Sequence, residues 1–177
     1  MNTARDHEAP SRRRRRTETV VLFGVANQEF AISADSVQEI RSTDGLAGAA
    51  NEIEQPVLPK VRHIIEHGHR TYYVVNAGVH FELPVSRPTL LLMLRDSHVA
   101  VLIDRIERMT QISSLYPLPL AFRGEERRWY RGLAYVDDAV IPLVHPQGFL
   151  TPEECELLDQ AAKADAAQQA AEGAVPA

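Results

Sequence analysis

Apolar residues in this chain occur mainly in short uninterrupted runs that are separated by polar turns. The clearest are LLLML at residues 90–94 and VAVLI at residues 99–103, on either side of the turn sequence RDS. Two bounded apolar runs of about five residues around a short polar turn predict a β-hairpin. The same pattern predicts a second hairpin over residues 129–144, with its turn at Asp137 and Asp138.

The first half of the chain predicts further strands. Two more pairs are indicated: residues 20–23 with 30–32 around Asn27-Gln28, and residues 61–66 with 70–76 around the sequence HGH. Residues 44–55, rich in Gly, Ala and acids, predict a loop, and residues 77–88 predict a connector that contains two prolines and joins the two halves of the domain. Turn signals about every ten residues, without regular βαβ alternation, indicate an all-β barrel or sandwich.

A helix is predicted at the end of the chain. Thr151 is a good N-cap, Pro152 suits the first helical position, and the acids that follow suit the positive end of the helix dipole. Leu157 and Leu158 are expected to pack it on the strands. From Asp165 onward the helix has little to bury and is expected to fray. The predicted organisation is a 1–17 arm, an 18–160 domain and a 161–177 tail.

Charge is distributed unevenly along the 177 residues. The net charge of −5 includes five consecutive arginines, Arg12 and the four that follow it, so the rest of the chain carries −10. An acidic body disfavours nucleic-acid binding, which only the arm at residues 12–16 could attempt. Because the arm has almost no apolar side chains, we expect it to be disordered. No apolar run approaches the length of a membrane span.

Signs of catalysis are scarce. The sequence has no glycine-rich phosphate loop, no G-x-S-x-G and no cysteine pair, so we expect neither an enzyme nor a cofactor or small-molecule substrate. Cys155 is the single cysteine, which excludes an internal disulfide and fits a reducing cytoplasm. Its place inside the predicted helix favours a partly buried, inert thiol over a nucleophile.

Two sets of side chains have a functional and an ordinary interpretation. His63, His67 and His69 would share one face of a strand and could bind Zn or Ni, although a turn at Gly68 would break that face and an ordinary polar strand end is favoured. Trp129 is a candidate contact residue, with ordinary packing as the favoured alternative.

The order of these segments resembles that of CheW-like domains over residues 20–158. The matching segments are VVLFGVANQEFAIS at 20–33, VQEI at 37–40, Leu58-Pro59, Ile103-Asp104-Arg105-Ile106, Tyr130-Arg131-Gly132 and Ile141-Pro142-Leu143. Each short aliphatic string is common by itself, whereas their fixed order is much more specific. The resemblance implies two small five-stranded barrels side by side, with a C-terminal α-helix and a groove between the barrels.

The resemblance also implies a function. CheW-like domains are non-enzymatic adaptors of bacterial chemosensory signalling, in which one barrel end pairs with a CheA-type histidine kinase and the groove receives the helical tip of a chemoreceptor. Transferred to this chain, Val37, Glu39 and Ile40 are the receptor-groove candidates, and His67 and Gly68 form a second set. A cytoplasmic protein, recruited to membrane receptor arrays through its partners, is expected.

The sequence departs from the family pattern near the second set. His67 stands where the family has an arginine before its glycine, and Asn76 replaces an aspartate. Two alternatives therefore stay open beside the coupling role: a scaffold of the same fold in a non-chemotactic pathway, and a metal-binding protein that uses the three histidines.

Overall fold

The computed structural model describes residues 17–48 and 50–172, so the arginines at 12–16 lie outside the described residues. The strands are β1 (Glu18–Val25), β2 (Gln28–Ser33), β3 (Val37–Ser42), β4 (Ala50–Glu52), β5 (Val61–His67), β6 (Arg70–Asn76), β7 (Leu90–Leu94), β8 (Val99–Ile103), β9 (Arg105–Ile112), β10 (Tyr130–Val136) and β11 (Ala139–Val144). The helices are α1 (Ala77–His80) and α2 (Pro152–Glu172). Within the described part of the chain, neither helix is long and apolar enough to cross a membrane.

The strands form two sheets. The terminal sheet has the order β10-β11-β2-β1-β9, and the central sheet has the order β3-β7-β8-β6-β5-β4. Each sheet contains two antiparallel hairpins that are joined by one parallel pair, β11 with β2 and β8 with β6. The four hairpins expected from the apolar runs are therefore confirmed.

The chain passes from one sheet to the other at two points. It leaves the terminal sheet through a 3-10 turn at Ala34–Ser36 and returns to it at Asp104, between β8 and β9. The expected connector at residues 77–88 lies between β6 and β7, which belong to the same sheet. The expectation that this connector joins the two halves of the fold is therefore wrong, because the order of hairpins along the chain does not reveal which of them share a sheet.

An all-β fold of two subdomains with a C-terminal helix is confirmed, but the two sheets are not closed five-stranded barrels. Among residues 17–48 and 50–172, both sheets end in strands that lack a second ladder partner, and the central sheet has six strands. Part of the predicted loop at residues 44–55 is the edge strand β4, which pairs with β5. No pattern in the sequence indicated β4, because its three residues carry no apolar run and Asn51 and Glu52 are both exposed.

The continuous apolar runs are explained by burial on both faces of the sheets. In β1, Val21 and Phe23 face a large core between the two sheets, whereas Val20 and Leu22 face a small core inside the curl of the terminal sheet. The central sheet curls in the same way around a third cluster that includes Tyr72. A strand buried on both faces has no need for polar residues at alternate positions.

Side-chain ion pairs link elements of the terminal sheet that the backbone ladder does not connect. Arg131 on β10 donates two hydrogen bonds to Glu18 on β1, at 2.6 and 3.2 Å, and Arg108 on β9 pairs with Asp137 in the β10–β11 turn. The hydrogen bonds from Arg131 hold the pKa of Glu18 below its usual range. We call the gap between the two ends of a sheet its seam; here Arg131 joins β10 to β1 across it, and Arg108 joins β9 to the β10–β11 turn.

The hairpin turns use residues with a left-handed backbone. The first turn is formed by Ala26 and Asn27, one residue earlier than the expected Asn27-Gln28, and Ala26 has φ of 51°. Asp104 supports that conformation by accepting a hydrogen bond from the Ala26 amide at 2.6 Å. Gly68 and His69 form the β5–β6 turn with φ of 56° and 67°, the signs that a two-residue type I′ turn requires.

Helix α2 begins as expected. The Glu154 amide donates to the Thr151 hydroxyl at 3.2 Å, and the Glu154 carboxylate accepts from the Thr151 amide at 2.9 Å, which together form a capping box. Leu158 is buried with 2% exposure, whereas Leu157 is 43% exposed, so the expectation that both pack on the strands is wrong for Leu157. Fraying beyond Asp165 stays a prediction, as do the boundaries of the arm, domain and tail.

Candidate functional site

The structure brings the two sets of candidate residues together. Val37, Glu39 and Ile40 lie on β3, whereas His67 ends β5 and Gly68 begins the following turn. These strands are far apart in the order of the central sheet, yet the Glu39 carboxylate lies 3.1 Å from Nε2 of His67. We call the surface formed by these five residues the β3–hairpin site.

The site lies on the seam of the central sheet. Because the sheet curls, β3 at one end approaches the β5–β6 hairpin near the other. The hydroxyl of Tyr72 on β6 donates to the Gln38 side chain on β3 at 3.4 Å, a second contact across this gap. A bulge between Val37 and Glu39 interrupts the pairing of β3 with β7 and changes the direction of the side chains that follow.

Arg41 is a functional candidate that sequence reasoning missed. Its guanidinium lies 3.0 Å from Nδ1 of His67 and 3.6 Å from the Glu39 carboxylate. Glu39 and Arg41 are two residues apart on one strand, so their side chains share a face. That spacing was visible in the sequence, but the approach of His67 depends on the curl of the sheet and was not.

The remaining candidates differ in exposure. Val37 is half-buried and packs against the core between the sheets, which anchors the start of β3. Ile40 is 41% exposed, and its side chain lies on the face of β3 opposite to Glu39 and Arg41. Gly68 is exposed at the hairpin tip, and a Cβ at this position would meet no atom within 4 Å. The β3–hairpin site therefore carries an ion-pair network on one face of β3 and an exposed apolar side chain on the other, and both features suit a protein partner.

The alternative metal site is not supported. Within residues 17–48 and 50–172, no group of three or more His, Cys, Asp or Glu side chains could hold a metal ion. His69 is exposed in the turn, and both ring nitrogens of His67 face the Glu39 and Arg41 side chains. The turn at Gly68 breaks the common face that the strand spacing of the histidines had suggested.

Cys155 lies where a thiol is unreactive. Its side chain is partly buried against the core between the sheets. Burial, together with the nearby charges of Asp159 and Glu154, raises the pKa of the thiol, so the thiolate is disfavoured at neutral pH. The favoured interpretation, a partly buried and inert thiol, agrees with this environment.

Trp129 is packed into an aromatic cluster. Its ring lies 4.7 Å from that of His80 and 5.9 Å from that of Phe81, between ring centroids. Ordinary packing therefore accounts for Trp129. The burial of His80 lowers its pKa to about 3, so the imidazole is neutral, and its Nε2 has no hydrogen-bond partner among the residues that the structure describes.

A cavity of about 430 Å³ lies beside the first crossing between the sheets. Six of the residues that line it are Ser36, Tyr73, His98, Gln147, Cys155 and Asp159. The Tyr73 hydroxyl donates to the Asp159 carboxylate, which ties α2 to β6, and the pKa of Tyr73 is raised by burial and by this contact. Tyr73 and Asp159 are therefore engaged with each other at the wall of this cavity.

Comparison with known proteins agrees with this fold. The family model of the CheW-like domain matches residues 19–154. Among solved structures, the chain is similar to the scaffolding protein TtCheW from Thermoanaerobacter tengcongensis, with a TM-score of 0.62, 15% identity, and coverage of 73% of this chain and 90% of that one. A search of curated proteins found no match. Since the matched region spans most of its length, this chain belongs to the CheW-like domain family.

Proposed function

We propose that the chain is a non-enzymatic adaptor that couples chemoreceptors to a CheA-type histidine kinase in bacterial chemosensory signalling. The observation that carries this proposal is the CheW-like match over residues 19–154. An adaptor needs two surfaces that can be occupied at the same time, and a fold of two sheets can supply one surface on each. The protein would act in the cytoplasm and join membrane receptor arrays through its partners.

The β3–hairpin site is the proposed receptor surface. The side chain of Glu39 is 41% exposed, and the neighbouring Ile40 is also 41% exposed. A partner helix that presents a cationic residue to Glu39 would satisfy its carboxylate. Contacts of this kind bury little area, so we expect a transient complex of modest affinity.

The terminal sheet offers a separate apolar surface for the kinase. Tyr116 and Tyr135, which are 48% and 60% exposed, meet edge to face with ring centroids 5.2 Å apart. Leu115 and Val140 are also exposed nearby in sequence. Exposed tyrosines are enriched at protein interfaces, where they contribute large contact areas at low entropic cost.

Two variants test the separation of the surfaces. We expect Glu39→Lys to weaken binding of a helical-hairpin fragment from the tip of a chemoreceptor of the same organism, because a repulsive charge replaces an attractive one. We expect Tyr135→Ser to weaken binding of the regulatory domain of the histidine kinase instead. Each variant serves as the folding control for the other, and affinities are measured by calorimetry.

Binding measurements on the wild-type protein distinguish the coupling role from that of a divergent scaffold with the same fold. Binding to both partners supports the coupling proposal. Failure of the wild type to bind either partner would overturn it and favour the divergent scaffold, an alternative prompted by His67 at the position of the family's arginine. Equal losses of both partners in both variants would show that the two surfaces are not independent.

A further inference from the structure

Strand β4 leaves one edge of the central sheet open. Within the described part of the chain, β4 pairs with β5 alone. The Ile53 amide donates to the Arg62 carbonyl on β5 at 2.8 Å. Because the direction of the backbone groups alternates along an antiparallel strand, the amide and carbonyl of Glu52 point away from β5. An edge of this kind can accept a further strand unless something covers it.

The second half of α2 lies beside this edge. A groove of about 870 Å³ separates the two elements, and we call it the β4–α2 groove. The polar residues that line it are Asn51, Glu52, Glu54 and Gln55 on the β4 side, and Asp165 and Gln168 on α2. A segment that entered this groove would contact the open edge of β4 and the exposed face of α2 together.

The β4–α2 groove is acidic. Glu52, Glu54 and Asp165 line it, and none of the described residues along its wall is basic. All three side chains are exposed, and they form no ion pair with another residue that the structure describes. The occupant that suits this groove is therefore cationic. Arginine suits it best, because a guanidinium can donate two hydrogen bonds to one carboxylate.

The complementary charge is present in the same chain. Five consecutive arginines, at residues 12–16, directly precede the first described residue, and we call them the arginine arm. An extended chain covers at most about 20 Å between Glu18 and Arg12, to which the arginine side chain adds its own length. The position of Glu18 relative to α2 therefore decides whether the arm can approach the groove.

Short contacts lead from the start of β1 to α2. Val20 on β1 pairs with Ser33, the residue before the 3-10 turn that contains Asp35. Asp35 lines the same cavity of about 430 Å³ as Asp159 on α2. Asp165 follows Asp159 by about 9 Å along the helix axis. The arm thus begins beside the crossing that borders α2, which allows its arginines to approach the β4–α2 groove.

We infer that the arginine arm docks in the β4–α2 groove of its own chain and covers the open edge of β4. The arm supplies cations to three exposed carboxylates, and it blocks pairing of that edge with a second chain. Each exposed ion pair shifts an equilibrium by about two- to fivefold and is weakened by salt. Docking is therefore strongest at low ionic strength and is separate from the packing that stabilises the domain. It is also independent of the proposed adaptor role.

Trypsin cleavage of the full-length protein tests the docking, because trypsin cuts after arginine where the segment is accessible. The groove variant combines Glu52→Gln, Glu54→Gln and Asp165→Asn. At low ionic strength we expect cleavage within residues 12–16 to be about fivefold faster in the groove variant than in the wild type. Equal rates in these two proteins would overturn the inference.

A matched control removes the same charge outside the groove. It combines Glu29→Gln, Glu125→Gln and Glu156→Gln, and we expect it to be cleaved at the rate of the wild type. All six altered side chains are exposed, so both variants should fold, which circular dichroism checks. A control that is cleaved as fast as the groove variant would reduce the effect to net charge and contradict docking at this groove.

NMR locates the arm without altering the groove. Backbone amide signals of the wild type are compared with those of a variant that carries Arg12→Gln and the same change at the next four positions. We expect differences at β4 and at residues 162–168 of α2, and we expect them to disappear at high salt. Differences at other surfaces only, or none, would overturn the inference. Differences that vanish on dilution would assign the groove to the arm of a second copy and would also overturn it.

Discussion

His80 is a buried histidine whose ring is surrounded by other rings. It is 4% exposed, and its ring centroid lies 4.9 Å from that of Phe81 and 5.1 Å from that of Phe149. Burial lowers its pKa to about 3, with a smaller contribution from the charge of Lys60. The residue behaves as a neutral aromatic side chain, a role that its neighbours in the sequence do not suggest.

Stability should therefore depend on pH through His80. A histidine in the unfolded chain gains a proton near pH 6.5, whereas the folded chain gains it only near pH 3. Between these values the unfolded state binds more protons, so the free energy of unfolding falls as pH is lowered through this interval. We expect His80→Phe to remove this pH-dependent contribution. Between pH 7.5 and 5 the wild type should therefore lose up to about 2 kcal/mol more of its free energy of unfolding than the variant does.

The measurement is urea unfolding at several pH values, followed by circular dichroism. His69→Gln is the matched control, because His69 is exposed in a turn. If His80→Phe and the wild type show the same pH dependence, His80 takes up a proton in the folded protein and its assigned environment is wrong.

Helix α2 depends on one face for its attachment. Leu158 is buried against the core between the sheets, Lys60 pairs with Glu154 at 2.7 Å, and Tyr73 donates to Asp159. These contacts all involve the first eight residues of the helix. Beyond them the residues are mostly exposed, which agrees with the Ala- and Gln-rich sequence of that part.

Two adjacent leucines provide a matched test of this attachment. We expect Leu158→Ala to lower the free energy of unfolding by about 2 to 4 kcal/mol, because it removes a buried side chain and leaves a cavity. Leu157→Ala should change stability by less than about 0.5 kcal/mol, since Leu157 is 43% exposed. Similar losses of unfolding free energy in the two variants would mean that the face of α2 that packs on the sheets is assigned incorrectly.

The N-cap of the same helix should contribute less to the free energy of unfolding than Leu158 does. The Thr151 hydroxyl accepts from the Glu154 amide at 3.2 Å. We expect Thr151→Ala to cost about 1 kcal/mol in chemical denaturation, and Thr151→Ser, which keeps the hydroxyl, to cost much less. A serine variant as unstable as the alanine variant would assign the loss to the methyl group instead of the cap.

Sequence predicted the local elements better than their assembly. The runs at Leu90–Leu94 and Val99–Ile103 identified their hairpin because pairing between neighbouring strands depends on nearby residues. The parallel pairing of β11 with β2 depends on residues more than a hundred positions apart, for which short patterns carry no information. For the same reason the sequence indicated Glu39 and His67 separately but missed Arg41, whose importance follows from the curl of the central sheet.

The folded domain should be independent of the N-terminal arm. The first described strand begins at Glu18, whose carboxylate is already bound by Arg131. We expect deletion of residues 1–16 to leave the melting temperature unchanged within about 1 °C. A drop of several degrees would show that the arm contributes to the fold, and a salt-sensitive DNA shift by the full-length protein alone would revive a nucleic-acid role for the arginines.

The two crossings between the sheets also fix an order of events during synthesis. All six strands of the central sheet lie between Val37 and Ile103, so they leave the ribosome as one block and can pair without waiting. Strands β1 and β2 emerge first, but their partners β9 and β11 are made last. The β1–β2 hairpin therefore keeps its apolar faces uncovered on the nascent chain until after the central sheet is complete. Premature termination after residue 104 would leave a full central sheet attached to a hairpin without partners, a species suited to aggregation and to recognition by chaperones.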